Sequence, residues 1–340
     1  MVVKYYRYTY LVKKFIFALI TIFFIFLLFR LVNLKEALKL IVSANKTFIV
    51  LATIIGVFQS FISALRMKTL LNIISKVNIF YLFWMGYLSA LISIVFPFYV
   101  GGFSLAYFVS KKIKSTYLKT FSVVFVDFSL GLLPILVLTL ISILFFGSKK
   151  VISTSFMGKE HTPLITLFII VVSISVFFFI IKKLFLKNIL KKLNRGIILF
   201  TKTKPVLLKA AIITLPLVIM HFLQFYLYFL AFGMKPNWPD FVLAVSLLST
   251  LNLIPGAFAK IGQYETFAVL TLPYLLSEDP TRVFSVVLLQ HSISLVTIGT
   301  LGVISAFYLR SEFINLRGLK SNLLSKLTSV LRGRSGGEVE

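Results

Sequence analysis

The sequence predicts an all-α fold: a polytopic, integral membrane bundle of about eight helical spans, with re-entrant or broken helices and two pseudo-symmetric halves. Of its 340 residues, 59% are hydrophobic and only 14% are charged. Soluble domains are roughly 45–50% apolar and about 25% charged, so this composition excludes a soluble globular domain. It also excludes a disordered chain, because disorder requires low hydrophobicity.

The basic residues indicate where the chain meets the membrane surface. Lys and Arg number 36 against 10 Asp and Glu, a formal net charge of +26. A basic stripe is typical of nucleic-acid binding. Here the basic residues fall between apolar runs, where cytoplasmic loops and anionic headgroups explain them. We therefore expect a multi-pass protein of the cell (cytoplasmic) membrane that binds no nucleic acid.

Three regions follow from these patterns. Residues 1–14 form a basic cytoplasmic N-terminus, residues 15–309 a single transmembrane domain, and residues 310–340 a basic amphipathic cytoplasmic tail. Bulky residues and Arg30 follow the first apolar run where a signal peptide needs a small-residue cleavage site. We therefore expect an uncleaved first span.

About 20 apolar residues in a helix cross the hydrocarbon core of a bilayer. The runs predicted to span on this basis are Phe15–Val32, Thr47–Leu65, Phe80–Val100, Tyr117–Phe146, Pro163–Ile181, Ala210–Phe232, Phe241–Ala259 and Val283–Leu309. A further run, Thr266–Leu276, is too short to cross and is predicted to be a half-helix or re-entrant segment. Tyr117–Phe146 is overlong and contains Pro134, which predicts a kink or a break.

Two segments have the pattern of basic amphipathic helices, Lys182–Lys204 and the C-terminal tail. We expect both to lie on an anionic leaflet at the cytoplasmic face, with a solvated loop as the alternative. Five apparent spans precede Lys182, and an odd number would place that segment outside. We therefore expect a re-entrant or doubled segment in the first half, at Val95–Lys119 together with Tyr117–Phe146.

An internal repeat is suggested by two octapeptides. The sequence SVVFVDFS at Ser122–Ser129 is similar to SVVLLQHS at Ser285–Ser292. Upstream of each lies a Pro/Gly break, formed by Pro97, Gly101 and Gly102 before the first and by Pro255, Gly256 and Gly262 before the second. Paired interrupted segments point to the binding site of a transporter. Chance similarity between apolar segments is the alternative.

Ionisable side chains inside membrane segments are costly, and each is a candidate functional residue. Asp127 lies deep in its apolar run, so we expect it to face a cavity or a cationic partner. The alternative is that the Asp127 carboxylate accepts hydrogen bonds within its own helix and has no functional role. Arg66 closes the second predicted span, either as a ligand for a lipid phosphate or as a snorkelling anchor.

The stretch Pro255–Glu265 contains Lys260, Gln263 and Glu265 around Gly262. A broken helix there would expose backbone N–H groups and a helix N-terminus, which bind anions. Lys260 would add positive charge to such a site. A short surface loop between two spans is the alternative.

Gln290 occupies the position that is equivalent to Asp127 in the repeat, His291 is adjacent to it, and the two complete the candidate site. We interpret His221 as a hydrogen-bonded residue between helices. The chain has no Cys and none of the motifs H-E-x-x-H, G-x-S-x-G, Walker A or G-x-G-x-x-G. Since these motifs carry hydrolase and nucleotide chemistry, we expect no enzyme, no metal site and no cofactor.

Several motifs occur in an order that is similar to that of a known family. They are Ser63-Ala-Leu-Arg66 with Leu70-Leu71, Pro97…Gly101-Gly102, Val126-Asp127…Gly131-Leu132, Pro255-Gly256…Gly262…Glu265, and Ser285-Val-Val-Leu-Leu-Gln290. Together they resemble the transmembrane region of lysylphosphatidylglycerol synthases, a flippase-like family. The resemblance covers roughly Phe15–Leu309.

The resemblance implies a lipid flippase-like protein with a central cavity between two pseudo-symmetric halves. Family members often carry Gly-Glu with a following Arg after the first break, an Arg after the Asp, and an Arg in the last motif. This chain has Gly102-Phe103, Asp127-Phe128 and Gln290-His291 there, so the resemblance does not fix the substrate. We also expect no lysyl-lipid synthesis, because little chain follows the last span.

The leading hypothesis is movement of a phospholipid or lipid-linked headgroup between leaflets through a polar intramembrane cavity. Arg66 and Lys260 would hold phosphate, while Asp127 and Glu265 would orient cationic or hydroxylated groups or take up a proton. One alternative is a membrane enzyme or enzyme subunit acting on polyprenyl-phosphate sugars or in lipid modification. Another is a non-transporting scaffold. The expected partners are membrane phospholipids or polyprenyl-linked lipids, the anionic leaflet, and a second copy of the chain as a homo-oligomer.

Overall fold

The structure is a computed structural model that describes residues 22–95, 100–147, 203–254 and 258–310. These residues form an all-helical bundle, which confirms the predicted fold class. The helices are α1 (Ile22–Leu31), α2 (Leu34–Ser43), α3 (Lys46–Leu71), α4 (Ile79–Val95), α5 (Val100–Lys112), α6 (Tyr117–Ser142), α7 (Lys204–Ala231), α8 (Trp238–Leu251), α9 (Gln263–Leu276) and α10 (Pro280–Tyr308).

Four of the described helices are long and apolar enough to cross a membrane: α3, α6, α7 and α10. They contain 26 to 29 residues once α6 is extended to Phe145. At about 1.5 Å per residue each is longer than the roughly 30 Å hydrocarbon core. Large apolar side chains such as Leu215, Ile219 and Phe307 are exposed on them. A bundle with apolar side chains outside is suited to lipid, and the chain is therefore a multi-pass membrane protein.

The predicted break in α6 does not occur. The helix continues through Gly131 and Pro134 to Ser142 and ends in a π-helical turn, Ile143–Gly147. A proline removes only one backbone donor, and the free carbonyls of a membrane helix are satisfied by neighbouring groups. The carboxylate of Asp127 is therefore held on an unbroken helix.

Two predicted spans are helices shorter than predicted. Phe80–Val100 is divided, because α4 ends at Val95 and α5 begins at Val100. Phe241–Ala259 ends early, because α8 stops at Leu251. The four helices α4, α5, α8 and α9 have 17, 13, 14 and 14 residues. At about 1.5 Å each, these lengths of roughly 20–26 Å are shorter than the hydrocarbon core.

Helices α4 and α5 pack as an antiparallel hairpin. The Ser89 hydroxyl donates to the Gly101 carbonyl at 2.7 Å, and the Tyr81 hydroxyl donates to the Phe108 carbonyl at 3.4 Å. Gly101 permits the close crossing, because a Cβ there would overlap the Ser89 carbonyl oxygen and the Ser93 hydroxyl. The chain thus turns back on itself in the region where span parity required a re-entrant or doubled segment.

Helix α9 is the predicted half-helix, which begins slightly earlier than Thr266. It follows a short helical turn, Phe258–Lys260, in which Ala259 has φ 57°. Gly262, with φ 81°, then precedes the first residue of α9. Glycine adopts this left-handed region without a steric penalty, which explains why the break falls there. Pro255 and Gly256 lie outside the described residues.

The helix packing repeats between the two halves. In the first half α4 packs on α5 and α5 on α6; in the second half α8 packs on α9 and α9 on α10. Across the halves α4 packs on α10 and α8 on α6, and α3 lies against α7. Exchanging α3–α6 with α7–α10 reproduces each of these pairs, although α6 also packs on α7.

The two octapeptides occupy the same register in this repeat. Ser122 lies five residues after the first residue of α6, and Ser285 lies five residues after the first residue of α10. Both are fully buried, and both hydroxyls donate to the carbonyl four residues earlier, at 2.9 Å and 2.7 Å. Asp127 and Gln290 are then equivalent, which supports a true internal repeat over chance similarity.

Some predictions concern residues that the structure does not describe. These are the N-terminus, residues 15–21 of the first predicted span, Pro163–Ile181, the amphipathic segment Lys182–Lys204 except its end, and the C-terminal tail after Arg310. They remain predictions.

Candidate functional site

A cavity of about 570 Å³ lies among α3, α5, α6, α7 and α8. This volume is within the range of roughly 300–1,000 Å³ found for small-molecule sites. Its walls are mainly apolar and include Gly102 of α5. Besides one ion pair, the polar side chains that line it are Gln59, Ser60, Ser63, Thr214, His221 and Ser249.

The ion pair joins Arg66 of α3 to Asp127 of α6. Arg66 Nε lies 2.8 Å from Asp127 Oδ1, and Nη2 lies 3.2 Å from Oδ2. The two residues are 6% and 8% exposed. The predicted cationic partner of Asp127 is thus Arg66 itself. The prediction that Arg66 closes a span was wrong, because α3 continues to Leu71 and the side chain points inward.

Two further contacts hold the guanidinium of Arg66. Nη1 donates to the Thr214 hydroxyl at 3.3 Å, and this contact reaches α7 in the second half of the chain. Gly131 lies one helical turn after Asp127, and a Cβ there would sit 3.4 Å from Arg66 Nη2. The absence of a side chain at Gly131 therefore lets the planar guanidinium lie directly against α6. Such two-point pairing fixes both position and orientation.

The remaining polar groups of the wall are also hydrogen-bonded. Gln59 Nε2 donates to the Leu217 carbonyl at 3.1 Å. His221 Nε2 and Ser249 Oγ share a hydrogen bond of 2.9 Å between α7 and α8. The interpretation of His221 as an inter-helix hydrogen bond is therefore right, and the structure also places it on the cavity wall.

A second polar cluster lies where α9 begins. Glu265, 3% exposed, accepts the Gly262 backbone N–H at 2.8 Å through Oε2. Its Oε1 lies 2.6 Å from His291 Nδ1 on α10. Tyr264 donates from its hydroxyl to Gln290 Oε1 at 3.2 Å, and its ring packs against the His291 ring. Glu265 and His291 thus form a buried acid–imidazole pair between α9 and α10.

The chain's own carboxylate lies at the N-terminus where an anion site is predicted. Glu265 caps the helix by accepting the Gly262 N–H, so that this N–H is already bonded. Lys260 Nζ donates to the backbone carbonyl and side-chain oxygen of Asn252, and so ties the turn to the end of α8. Gln263 is buried at the first position of α9. Lys260 therefore has a structural role here.

The predicted site residues fall into two groups. Arg66, Gly102 and Asp127 line the cavity, with Gly101 beside them in the α4–α5 crossing. The second group, built on α9 and α10 with the preceding turn, contains Lys260, Gly262, Gln263, Glu265, Gln290 and His291.

Sequence reasoning missed several lining residues, notably Thr214, Ser249 and Gln59. Thr214 and Ser249 bond to carbonyls four residues earlier in their own helices, at 2.9 Å and 2.8 Å. Thr and Ser residues whose hydroxyls bond within their own helix are common in apolar helices, so their presence in the sequence does not indicate a cavity. Gln59 could have been identified from the sequence, because an amide inside an apolar run needs an inter-helix partner.

In the described residues, no group of three His, Cys, Asp or Glu side chains is placed to hold a metal ion. The fold and the site together define a polytopic helical membrane protein with a cavity between two repeated halves, and the mainly apolar wall of this cavity carries a buried ion pair.

The chain belongs to the family of the lysylphosphatidylglycerol synthase transmembrane region, which it matches over residues 14–302. The resemblance seen in the motifs is thereby confirmed. Searches of curated proteins and of solved structures gave no match.

Proposed function

We propose that the protein moves a lipid headgroup between the two leaflets through the cavity beside the Arg66–Asp127 pair. The observation that supports this most directly is the buried Arg66–Asp127 pair, which lines a cavity of about 570 Å³ in a bundle whose outer surface is apolar. Membership of a family named for a phospholipid-modifying synthase agrees with a lipid as the substrate.

The barrier to lipid exchange is the cost of bringing a polar headgroup into hydrocarbon. The cavity lowers this cost, because its hydroxyl, amide and guanidinium groups replace the hydration shell of the headgroup. The acyl chains need no such replacement and stay in the surrounding lipid. Only the headgroup therefore has to enter the protein.

Arg66 is the group best suited to meet a phosphate. A guanidinium has five N–H donors, and the bonds to Asp127 and Thr214 use three of them. A phosphate oxygen can therefore be bound while the pair persists. Asp127 keeps the cation compensated before the headgroup arrives and after it leaves, and it accepts bonds from amine or hydroxyl groups of the headgroup.

The competing hypothesis of a metal-assisted enzyme needs Asp127 and Glu265 as a carboxylate pair. Each is bound to its own partners instead, Asp127 to Arg66 and Glu265 to His291 and Gly262. These contacts favour translocation over metal-dependent chemistry.

The test is scrambling of fluorescent lipids in liposomes that contain the purified protein, read by dithionite quenching. Phosphatidylglycerol, an aminoacylated lipid and a polyprenyl lipid serve as the labelled substrates. We expect quenching beyond the outer-leaflet fraction for at least one of them, and its loss in Asp127→Asn. Glu36→Gln is the matched control, because Glu36 is an exposed acid on α2. Quenching equal to that of protein-free liposomes for all three lipids would overturn the proposal.

A further inference from the structure

The charges on the cavity wall cancel. Among the described residues that line the cavity, the ionisable side chains are Arg66, Asp127 and His221. Arg66 and Asp127 carry opposite charges and pair at 2.8 Å. His221 shares a hydrogen bond with Ser249 Oγ and packs edge-on against the ring of Phe225. An imidazolium with these neighbours would be a buried charge without a counter-ion, so the neutral ring is favoured and the site has no net charge.

Both members of the ion pair keep further capacity to bind. Each Arg66 Nη atom uses one N–H, for Thr214 or for Asp127, and each has a second N–H. A Cβ at Gly131, which lines the cavity, would lie 3.4 and 3.5 Å from these two nitrogens. The two Asp127 oxygens accept one bond each from Arg66, and a carboxylate has about four acceptor positions. Donors for an anion and acceptors for a cation therefore lie side by side at the cavity.

We propose that the headgroup taken up beside this pair is a net-neutral zwitterion in which a primary ammonium lies close to the phosphate, as in phosphoethanolamine. This rests on the proposed function and names the substrate class of the same site. The free N–H groups of Arg66 donate to the phosphate, and the ammonium donates to the carboxylate of Asp127. Because Arg66 and Asp127 touch, the two charges of the headgroup must also be neighbours, and only two carbons join the ammonium to the phosphate oxygen in phosphoethanolamine.

The selection follows from charge compensation. With a zwitterion bound, the four charges alternate in sign around the site and their sum stays zero. A phosphatidylglycerol headgroup has the phosphate alone, and a lysylated headgroup has two amines for one phosphate, so each adds one uncompensated charge to a buried site. Such a charge is costly. Phosphatidylcholine is neutral, but its quaternary ammonium has no N–H to donate to Asp127.

The scrambling rates of phosphatidylethanolamine, phosphatidylcholine and phosphatidylglycerol test this selection. Each lipid carries the fluorophore on an acyl chain, which leaves the headgroup unchanged, and each is a trace component of phosphatidylcholine liposomes. We expect phosphatidylethanolamine to move fastest and phosphatidylglycerol slowest, with about tenfold between them, which corresponds to about 1.4 kcal/mol. With an active wild type, phosphatidylcholine or phosphatidylglycerol moving as fast as phosphatidylethanolamine would overturn the selection and leave the proposed function standing.

Two substitutions of one wall residue change the charge of the cavity at similar side-chain length. Gln59 lines the cavity, and its Nε2 donates to the Leu217 carbonyl at 3.1 Å. Gln59→Lys and Gln59→Met both replace the amide, and only Lys adds a charge. We expect phosphatidylglycerol to move at least as fast as phosphatidylethanolamine in Gln59→Lys, because the cavity then carries one positive charge. Gln59→Met should keep the wild-type order of the lipids. The same order in both variants would show that charge does not set the selection.

A binding measurement tests the selection without transport. Dihexanoyl forms of the three lipids are added at equal concentration to the purified protein in detergent, and the melting temperature is recorded. A ligand that binds the folded state alone raises its stability according to occupancy. We expect the largest rise with the phosphatidylethanolamine form. The double variant Arg66→Met, Asp127→Leu, which has neither charge, should show no preference among the three.

Equal rises for the three lipids in the wild type, or an unchanged preference in the double variant, would overturn the proposal. The expected order of rises together with no scrambling of any lipid would overturn the proposed function and retain the zwitterion site.

Discussion

The Arg66–Asp127 pair places two opposite charges inside an apolar bundle, where neither charge is tolerated alone. Both side chains are almost fully buried, and their desolvation is offset by two-point contact and by the bond to Thr214. Removing one partner of such a pair leaves an uncompensated charge, whereas removing both leaves none. The two kinds of change should therefore differ sharply in stability.

We expect Asp127→Ala to lower the free energy of unfolding by about 3–5 kcal/mol. The double variant Arg66→Met, Asp127→Leu should lose clearly less than the sum of its single changes, because its cavity wall carries no buried charge. Thermal unfolding of the purified variants in detergent measures the difference. The double variant should also fold without scrambling lipid, which separates stability from transport. Additive losses would show that the two side chains do not stabilise each other.

The sequence predicts part of this site for a physical reason. A carboxylate deep in an apolar run needs a partner, and this identifies Asp127 without any structure. Its partner lies 61 positions away, and a span placed at Thr47–Leu65 put Arg66 at the interface instead of inside. The bond between Lys260 and Asn252 could not be predicted for a related reason, because sequence does not show that the two residues lie within reach of each other.

The α4–α5 hairpin depends on one glycine and tolerates change at the next. A Cβ on Gly101 would overlap backbone and side-chain atoms of Ser89 and Ser93, whereas a Cβ on Gly102 would meet nothing within 4 Å. Backbone cannot give way as a flexible side chain can, so Gly101→Ala must push α5 away from α4. Gly102→Ala adds a methyl group at the cavity wall without a clash.

We therefore expect Gly101→Ala to lower the melting temperature in detergent and Gly102→Ala to leave it unchanged. Overpacking of this kind typically costs about 1–3 kcal/mol. The neighbouring glycine is the control for changes in helix propensity, since both substitutions sit in the first turn of α5. Equal melting temperatures would show that the hairpin is more loosely packed than the structure indicates.

Helices could be predicted from apolar runs, and breaks between helices could be predicted from Pro and Gly. The length of each helix on either side of a break could not be predicted. Gly262 and the short run Thr266–Leu276 predicted α9 well, because glycine supports the left-handed φ found there. The Pro/Gly break at Pro97 and Gly101 could be recognised, but the predicted span Phe80–Val100 still crossed the boundary between α4 and α5, since the apolar run continues across it. Hydropathy measures burial in lipid or protein, and both sides of this break are apolar.

The charge pattern of the whole molecule indicates that its two halves are inverted in the membrane. The C-terminal end of α3, the ends of α5 and the start of α6 carry six lysines and no acidic residue: Lys68, Lys76, Lys111, Lys112, Lys114 and Lys119. The equivalent ends in the second half carry mixed charges: Lys235, Asp240, Glu278, Asp279 and Arg282. Positive residues mark the cytoplasmic side, so these equivalent ends should face opposite sides.

Single cysteines test this arrangement, because the chain contains none of its own. We expect Ser75→Cys and Ser115→Cys to react with a membrane-impermeant maleimide only after permeabilisation. Ser277→Cys should react in intact cells. Labelling of all three from the same side would show that the halves are parallel.

The inverted arrangement would also resolve the parity of the spans. With α4–α5 re-entrant, we expect α6 to end outside, and the span predicted at Pro163–Ile181, which lies outside the described residues, to return the chain to the cytoplasm before α7. With α8–α9 re-entrant as well, we expect α10 to end in the cytoplasm. The arrangement therefore predicts six crossings and two re-entrant hairpins, of which the described residues contain the four long spans.

The packing of α3 against α7 bears on self-association. In a symmetric dimer, equivalent helices of two copies meet across a two-fold axis, and each copy completes the other. Here the equivalent helices belong to one chain, and the cavity takes Gln59 and Asp127 from one half and Thr214 and Ser249 from the other. Among the described residues one copy therefore supplies both sets of wall residues, and we expect the cavity to form without a second copy.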